Sequence, residues 1–390
     1  MIMLFFMRRA SWRTLLLLLP LASGIGLWFP AGANRQATFE QENLSKLPAT
    51  EFSRLIREFS EKGGYFHSDN FTSNETSYLH VVGKLREMGI AGGAYIGVGP
   101  EQNFTYIAKI RPRIAFVVDI RRQAMLQHLL YKALFHMSES RKEFLSRLIS
   151  RPIGPEGNTG KSASLEQLLE SLTAASPSRE MMTTNLAKIR EMLRGEFQLP
   201  LSLEDQEQLE YVFSTFYRDG IRIGYRAAGI YWGGYSRFPN LRDLILQPDL
   251  NGIPGNFLAS DEDYRFVRSL HMRNRIIPLV GDFAGPRAIA SVGNYLQENG
   301  YTVRAFYTSN VEQFLFQNGV FESFVDNIRR LPIDANSVFI RAVTRGHPAY
   351  VPGHRTTTLL QRISVFLQDY DEEAYPDYRS LILTHFIAGQ

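Results

Sequence analysis

Residues 92–123 read GGAYIGVGPEQNFTYIAKIRPRIAFVVDIRRQ. The stretch parses as an apolar strand at 93–98, a Gly97-Val98-Gly99 turn, a helix over 101–110 and a second strand at 114–119 that ends on Asp119. The second strand is continuously apolar up to its acid, as expected of a parallel strand covered on both faces. Glycines let the chain turn sharply at a strand end and let a ligand approach, and the next helix offers free N–H groups in its first turn. Asp119 follows the turn by about 20 residues, the spacing at which an acid on the neighbouring strand can accept hydrogen bonds from ribose hydroxyls. Gly97, Gly99, Glu101 and Asp119 are therefore the expected wall of a nucleoside-type pocket. Gln102 stands where the dinucleotide fingerprint has its third glycine. That argues against a pyrophosphate and for a smaller ligand such as S-adenosylmethionine. The competing reading is a tight β–α turn followed by a solvated acid.

Working outward, RIIPLVGD (275–282), YTVRAFYTS (301–309) and SVFIRAV (337–343) are three further apolar strands. Helices are expected at 121–137, through GPRAIASVGNYLQENG, over NVEQFLFQ and near 356–369, and residues 220–260 read as loops with short strands. Strands alternating with helices predict an α/β protein with a doubly wound, mostly parallel sheet. The polar, helical stretch from about 138 to 220 interrupts this alternation and reads as an insertion. The predicted organisation is 1–33 as a leader, 34–92 as a helical cover, 93–345 as the α/β core and 346–390 as an extension.

The chain has 390 residues, 44% hydrophobic and 21% charged, which excludes wholesale disorder. It has no cysteine, which excludes disulfides, thiolate metal sites, a cysteine nucleophile and a lipoprotein anchor. Of 43 Lys and Arg against 39 acids, Arg8, Arg9 and Arg13 lie in the first 33 residues, so the remainder carries about +1. No nucleic-acid partner is expected from that balance. MRRASWR followed by TLLLLLPLASGIGLWF and Ala31-Gly32-Ala33 reads as a secretory signal, or as an uncleaved anchor that would be the only contact with a membrane. Either way the body is expected to be exported, periplasmic or tethered to the inner membrane, away from the cytoplasmic supply of methyl donor.

Other motifs admit both a functional and an ordinary structural role. Asn74, Glu75 and Tyr78 precede the first strand and can cover a pocket, or can belong to a helix start with Tyr78 packed inside. Asn310 and Glu312 follow the strand at 301–309, where Asn310 can orient a substrate and Glu312 can act as a general base, or both can simply open a helix. GNTGKS (157–162) fails as a phosphate loop, because Pro155 stands at a required glycine and no strand precedes it. His347 and His354 lack metal-site spacing, no metal is expected, and G-x-S-x-G is absent. Tyr231, Trp232, Tyr235 and Phe238 form an aromatic cluster in a Gly-rich segment, suited to packing under a loop or to gripping a ligand.

GGYFHSDNFTSNETSYLHV, GGAYIGVGPEQNFTYIA, FVVDIRRQ, VGDFAG and FYTSNVEQFLF together resemble a set of uncharacterised bacterial proteins with a class I methyltransferase-like, Rossmann-type core, over about residues 50–345. The resemblance implies that the Gly97/Gly99 turn is the loop for S-adenosylmethionine, that Asp119 is the ribose acid, and that Asp282 ends the next strand near the adenine. It implies a methyltransferase acting on a small molecule or envelope component, or a non-catalytic ligand-binding or scaffold protein that keeps the fold. The N-P-P-Y-like signature of amino-methylating enzymes is missing.

Overall fold

The computed structural model describes residues 44–153, 164–225, 238–344 and 346–389. The leader at 1–33, the GNTGKS segment and Tyr231, Trp232 and Tyr235 lie outside these residues. The strands are β1 Ala94–Gly97, β2 Ile114–Asp119, β3 Ile276–Val280, β4 Val303–Ser309, β5 Val338–Thr344 and β6 Thr356–Arg362. The helices, in chain order, are α1 Ala49–Phe59, α2 Val82–Glu87, α3 Gln102–Ile110, α4 Arg122–Met137, α5 Arg141–Leu148, α6 Leu165–Ala174, α7 Arg179–Arg194 and α8 Leu203–Asp219. They continue with α9 Leu241–Leu246, α10 Asp261–Met272, α11 Ala288–Glu298, α12 Val311–Gln317, α13 Phe321–Arg329, α14 Ile363–Asp371 and α15 Tyr378–Leu383.

The apolar strands associate in the order β3-β2-β1-β4-β5-β6, parallel except for β6. Every residue of β1, β2 and β3 is buried, because helices cover both faces. This is the α/β architecture expected from the alternation. Pro278 sits within β3, which is tolerated because β3 is the edge strand and a missing N–H there breaks no ladder. The free edge is blunted by the chain after α1: Glu61 N donates to Val280 O at 2.8 Å and Ser60 Oγ accepts from Val280 N.

The helical insertion lies between β2 and β3 and includes α5 to α8. Ser202 and Asp205 form a reciprocal cap at the start of α8, and Gly220 ends it with a positive φ of 58°. α4 is buried nearly all round, Gln127, His128 and Lys132 included, because it packs on β2 and β3 and also on α8 and α10.

Two expectations are corrected. Residues 356–362 are a strand, not the start of a helix; the β-branched run Thr356-Thr357-Thr358 pairs antiparallel with β5, and helix begins only at Ile363. The segment after 345 therefore supplies a strand to the sheet. Within 220–260, Asn240 caps a short helix, α9, that loop composition had hidden. Among the described residues no helix is long and apolar enough to cross a membrane.

Candidate ligand-binding cavity

The chain runs β1-β2-β3 toward one edge and returns through β4 on the other side of β1. At that reversal the loops leaving neighbouring strands diverge and a crevice opens at their carboxyl ends. A cavity of about 420 Å³ occupies this place. Its walls are Val98, Gly99 and Pro100 after β1, Val118 to Arg121 at the end of β2, Gly281 to Phe283 after β3, and Tyr307, Ser309 and Asn310 at the end of β4. Residues from 65 to 75 close one side, and Val311, Phe314, Leu315 and Asn318 of α12 and its end close another.

The glycine turn is built around a side chain that the sequence did not single out. Asn103 Nδ2 donates to the carbonyls of Val98, Gly99 and Pro100 at 2.8–3.1 Å, and Asn103 Oδ1 accepts from Tyr95 OH. Gly97 is required because a Cβ there would meet Asn103 Oδ1 at 2.0 Å, while Gly99 turns the chain with a φ of +80°. Gly97 thus lies beneath the cavity and Gly99 lines it. His128 Nε2 lies 2.8 Å from the Gly99 carbonyl, which can only accept, so Nε2 carries the proton. Burial lowers the His128 pKa to about 4 and keeps the ring neutral at physiological pH.

Asn74, Glu75, Asp119, Asp282 and Asn310 all reach the cavity, although they come from four separate parts of the chain. Glu75 is buried, with Oε1 accepting from Tyr307 OH at 2.7 Å and Ser309 Oγ at 2.5 Å, and Oε2 accepting from Gln102 Nε2 at 3.0 Å. Burial pushes its carboxyl above the usual range, against the pull of those three donors. Gln102, at the missing third glycine, is therefore a structural link, since its Nε2 also reaches Tyr307 OH. Ser309 holds a positive φ of 54°, at a register shift between β4 and β5, to present its hydroxyl. Asp282 Oδ1 accepts from Ala284 N at 2.9 Å, and no Lys or Arg among the described residues pairs with it.

Asp119 is committed elsewhere. Arg121 donates to it from Nε at 3.0 Å and Nη2 at 2.7 Å, and from its backbone N at 2.9 Å. Arg121 is the only Lys or Arg among the described residues that line the cavity, and this pairing spends it.

Four expected site residues are not brought to the cavity wall: Gly97, which lies beneath the turn, and Tyr78, Glu101 and Glu312. Tyr78 packs away from it, donating its hydroxyl to Leu244 O and accepting from Asn256 Nδ2. Glu101 is buried below the turn; Oε1 accepts from Ser73 N, Oε2 has no protein partner, and burial raises its pKa to about 7. Glu312 is 0% exposed and its carboxylate is held by Arg341 Nε at 2.8 Å and Thr308 Oγ1 at 2.9 Å. A carboxylate so enclosed cannot serve as a general base in the cavity.

The sequence reading also missed the aromatic wall. Phe66 from the covering loop meets Phe314 of α12 edge-on at 5.3 Å, and Phe283 and Tyr307 line the sides. Their signal was faint because Phe66, Phe283, Tyr307 and Phe314 lie in four separate segments, with no spacing that links them in the sequence. Among the described residues no group of three or more His, Asp or Glu could hold a metal ion; His347 and His354 instead bond the carbonyls of Ile382 and Thr76.

The fold is α/β, with a cavity at the carboxyl ends of a mostly parallel sheet. Over residues 70–224 and 241–385 the chain matches DUF7790, a domain of unknown function, and it belongs to that family. No curated protein matches it.

Proposed function

We propose that this chain is an exported or membrane-tethered S-adenosylmethionine-binding protein of the methyltransferase type. One observation carries the reading: the cavity at the strand reversal combines aromatic faces and the carboxyl groups of Glu75 and Asp282 with no unspent Lys or Arg among its described lining residues, Arg121 being paired with Asp119. Such a site favours a cation bearing a planar ring and disfavours phosphates. Its volume of about 420 Å³ falls within the range usual for small-ligand sites.

The residues fit the cofactor by kind. Phe66, Phe283 and Phe314 offer apolar faces to an adenine. Asp282, Asn74 and Asn310 offer acceptors and amides to polar groups, and the summed negative charge suits a sulfonium. When bound, the cofactor would supply an electrophilic methyl group. The chain's own part would be alignment, with Glu75 accepting a proton from an O–H or N–H acceptor. Tyr307 and Ser309 orient that carboxylate.

A second reading, a binding protein without catalysis, is favoured by the pairing of Asp119 with Arg121, which leaves the expected ribose acid engaged.

Calorimetric titration of S-adenosylmethionine and S-adenosylhomocysteine into the purified protein tests the proposal. Micromolar binding of both, with no heat from ATP or NAD, is expected. Flat traces from folded protein overturn it. Release of S-adenosylhomocysteine on adding envelope extract separates the enzyme from the binder.

A further inference from the structure

The Arg121 guanidinium joins two parts of the chain that are distant in sequence. One side holds Asp119 through Nε and Nη2; Nη1 donates to the carbonyls of Ser68 and Asp69 at 3.1 and 2.7 Å. Neighbouring residues of the same helix start extend the seam: Gln123 Nε2 reaches Asp69 O at 3.3 Å and Gln127 Nε2 reaches Phe71 O at 2.8 Å. The segment held this way, 65–75, is irregular apart from a single bridge at Ser68, and it supplies Phe66, Asn74 and Glu75 to the cavity. A carboxylate and a guanidinium each less than a tenth exposed form strong, oriented hydrogen bonds, and removing either leaves the other as a buried unpaired charge.

We infer that Arg121 is a positioning residue that latches the 65–75 wall onto the end of β2, and that Asp119 serves the cavity by orienting this latch, not by touching the ligand. The inference shares its site with the proposed function, but its first readout needs no ligand. It also changes what a substitution at Asp119 means, because loss of binding on its removal would follow from a displaced wall as readily as from a lost contact.

The test compares wild type with Arg121→Met, Arg121→Lys and Asp119→Asn. Amide hydrogen exchange is read on peptides covering 65–75, with peptides from β3 and β4 as the internal standard. Arg121→Met and Asp119→Asn should each speed exchange in 65–75 at least tenfold and leave β3 and β4 unchanged. Arg121→Lys keeps a charge beside Asp119, retains fewer donors and should fall between, which a general loss of fold would not produce. Unchanged protection of 65–75 in Arg121→Met overturns the latch. Titration with S-adenosylhomocysteine adds a second arm: Arg121→Met should weaken binding as much as Asp119→Asn, and the double variant no further. Wild-type affinity in Arg121→Met alongside lost affinity in Asp119→Asn would make Asp119 a direct ligand contact and overturn the inference. If wild type itself binds no adenosyl compound, the cofactor reading fails while the exchange result still decides the latch.

Discussion

Asn103 Oδ1 lies 2.0 Å from the point where a Cβ on Gly97 would stand, so the glycine at the end of β1 admits an asparagine, with the cavity one layer above. The same asparagine gathers three carbonyls of the turn. Gly97→Ala should therefore expel Asn103 and cost about 3 kcal/mol through overpacking and lost buried hydrogen bonds. Gly99→Ala meets open space and should cost about 1 kcal/mol, for its positive φ alone. Urea denaturation of the two variants measures the contrast; equal costs would mean the turn is not built on Asn103.

The ion pair of Glu312 with Arg341 predicts a stability role. Both side chains are at most 3% exposed, and Arg341 also donates to Gln361 Oε1 at 2.6 Å. Glu312→Ala should destabilise the protein by about 3–5 kcal/mol, because it strands a buried guanidinium. Adenosyl-ligand affinity of the fraction that stays folded should be unchanged. A folded variant with normal stability and lost affinity would return Glu312 to the site.

Glu101 predicts a pH dependence. Its carboxyl rises from 4.5 to about 7 on folding, mainly through burial. A raised acid binds its proton more tightly in the folded state, so its contribution is fully present below about pH 4.5 and is lost as pH climbs through about 7. Glu101→Gln should remove a loss on the order of 3 kcal/mol across that window and make the protein more stable than wild type at pH 8. Melting temperatures at pH 5 and pH 8 check the sign; a variant less stable at pH 8 contradicts it.

Glu75 predicts how charge selects the ligand. Its pKa is raised by burial, so its negative charge grows as pH rises through that raised value. Preference for S-adenosylmethionine over its neutral thioether product should increase with pH in wild type and stay flat in Glu75→Gln. Parallel titrations from the usual carboxylate range upward, over the whole pH range in which both proteins stay folded, decide it; identical profiles would place the sulfonium away from Glu75.

Most of the sheet was legible from the chain. IAFVVD, IIPLV and VRAFYTS are apolar runs that only a covered strand can bury, and the Gly97–Gly99 turn and Asp119 fall where a local spacing rule puts them. β6 was not legible, since a run of threonines beside apolar residues acquires its strand character only from pairing with β5. The site was legible in part. Asp119, Asp282 and Asn310 converge because strand ends in such a sheet meet at the point where the strand order reverses, and Asn74 and Glu75 are brought there by the irregular segment packed over it.

The sequence by itself determined the α/β class, the strand–turn–helix at 93–110 and the set of polar groups near the strand ends, because these follow from periodicity and from glycine's conformational freedom, which are local. Only the tertiary structure decided which acid does what. Glu75 and Glu312 look alike in a polar stretch, but one opens onto the cavity and the other is closed by Arg341. Asp119 looks free until Arg121, itself held by the carbonyls of Ser68 and Asp69, is folded onto it. A carboxylate's role is set by the partner that reaches it; Arg121 is only two residues from Asp119 and Arg341 is 29 from Glu312, and in both cases packing decides that the guanidinium turns onto the acid.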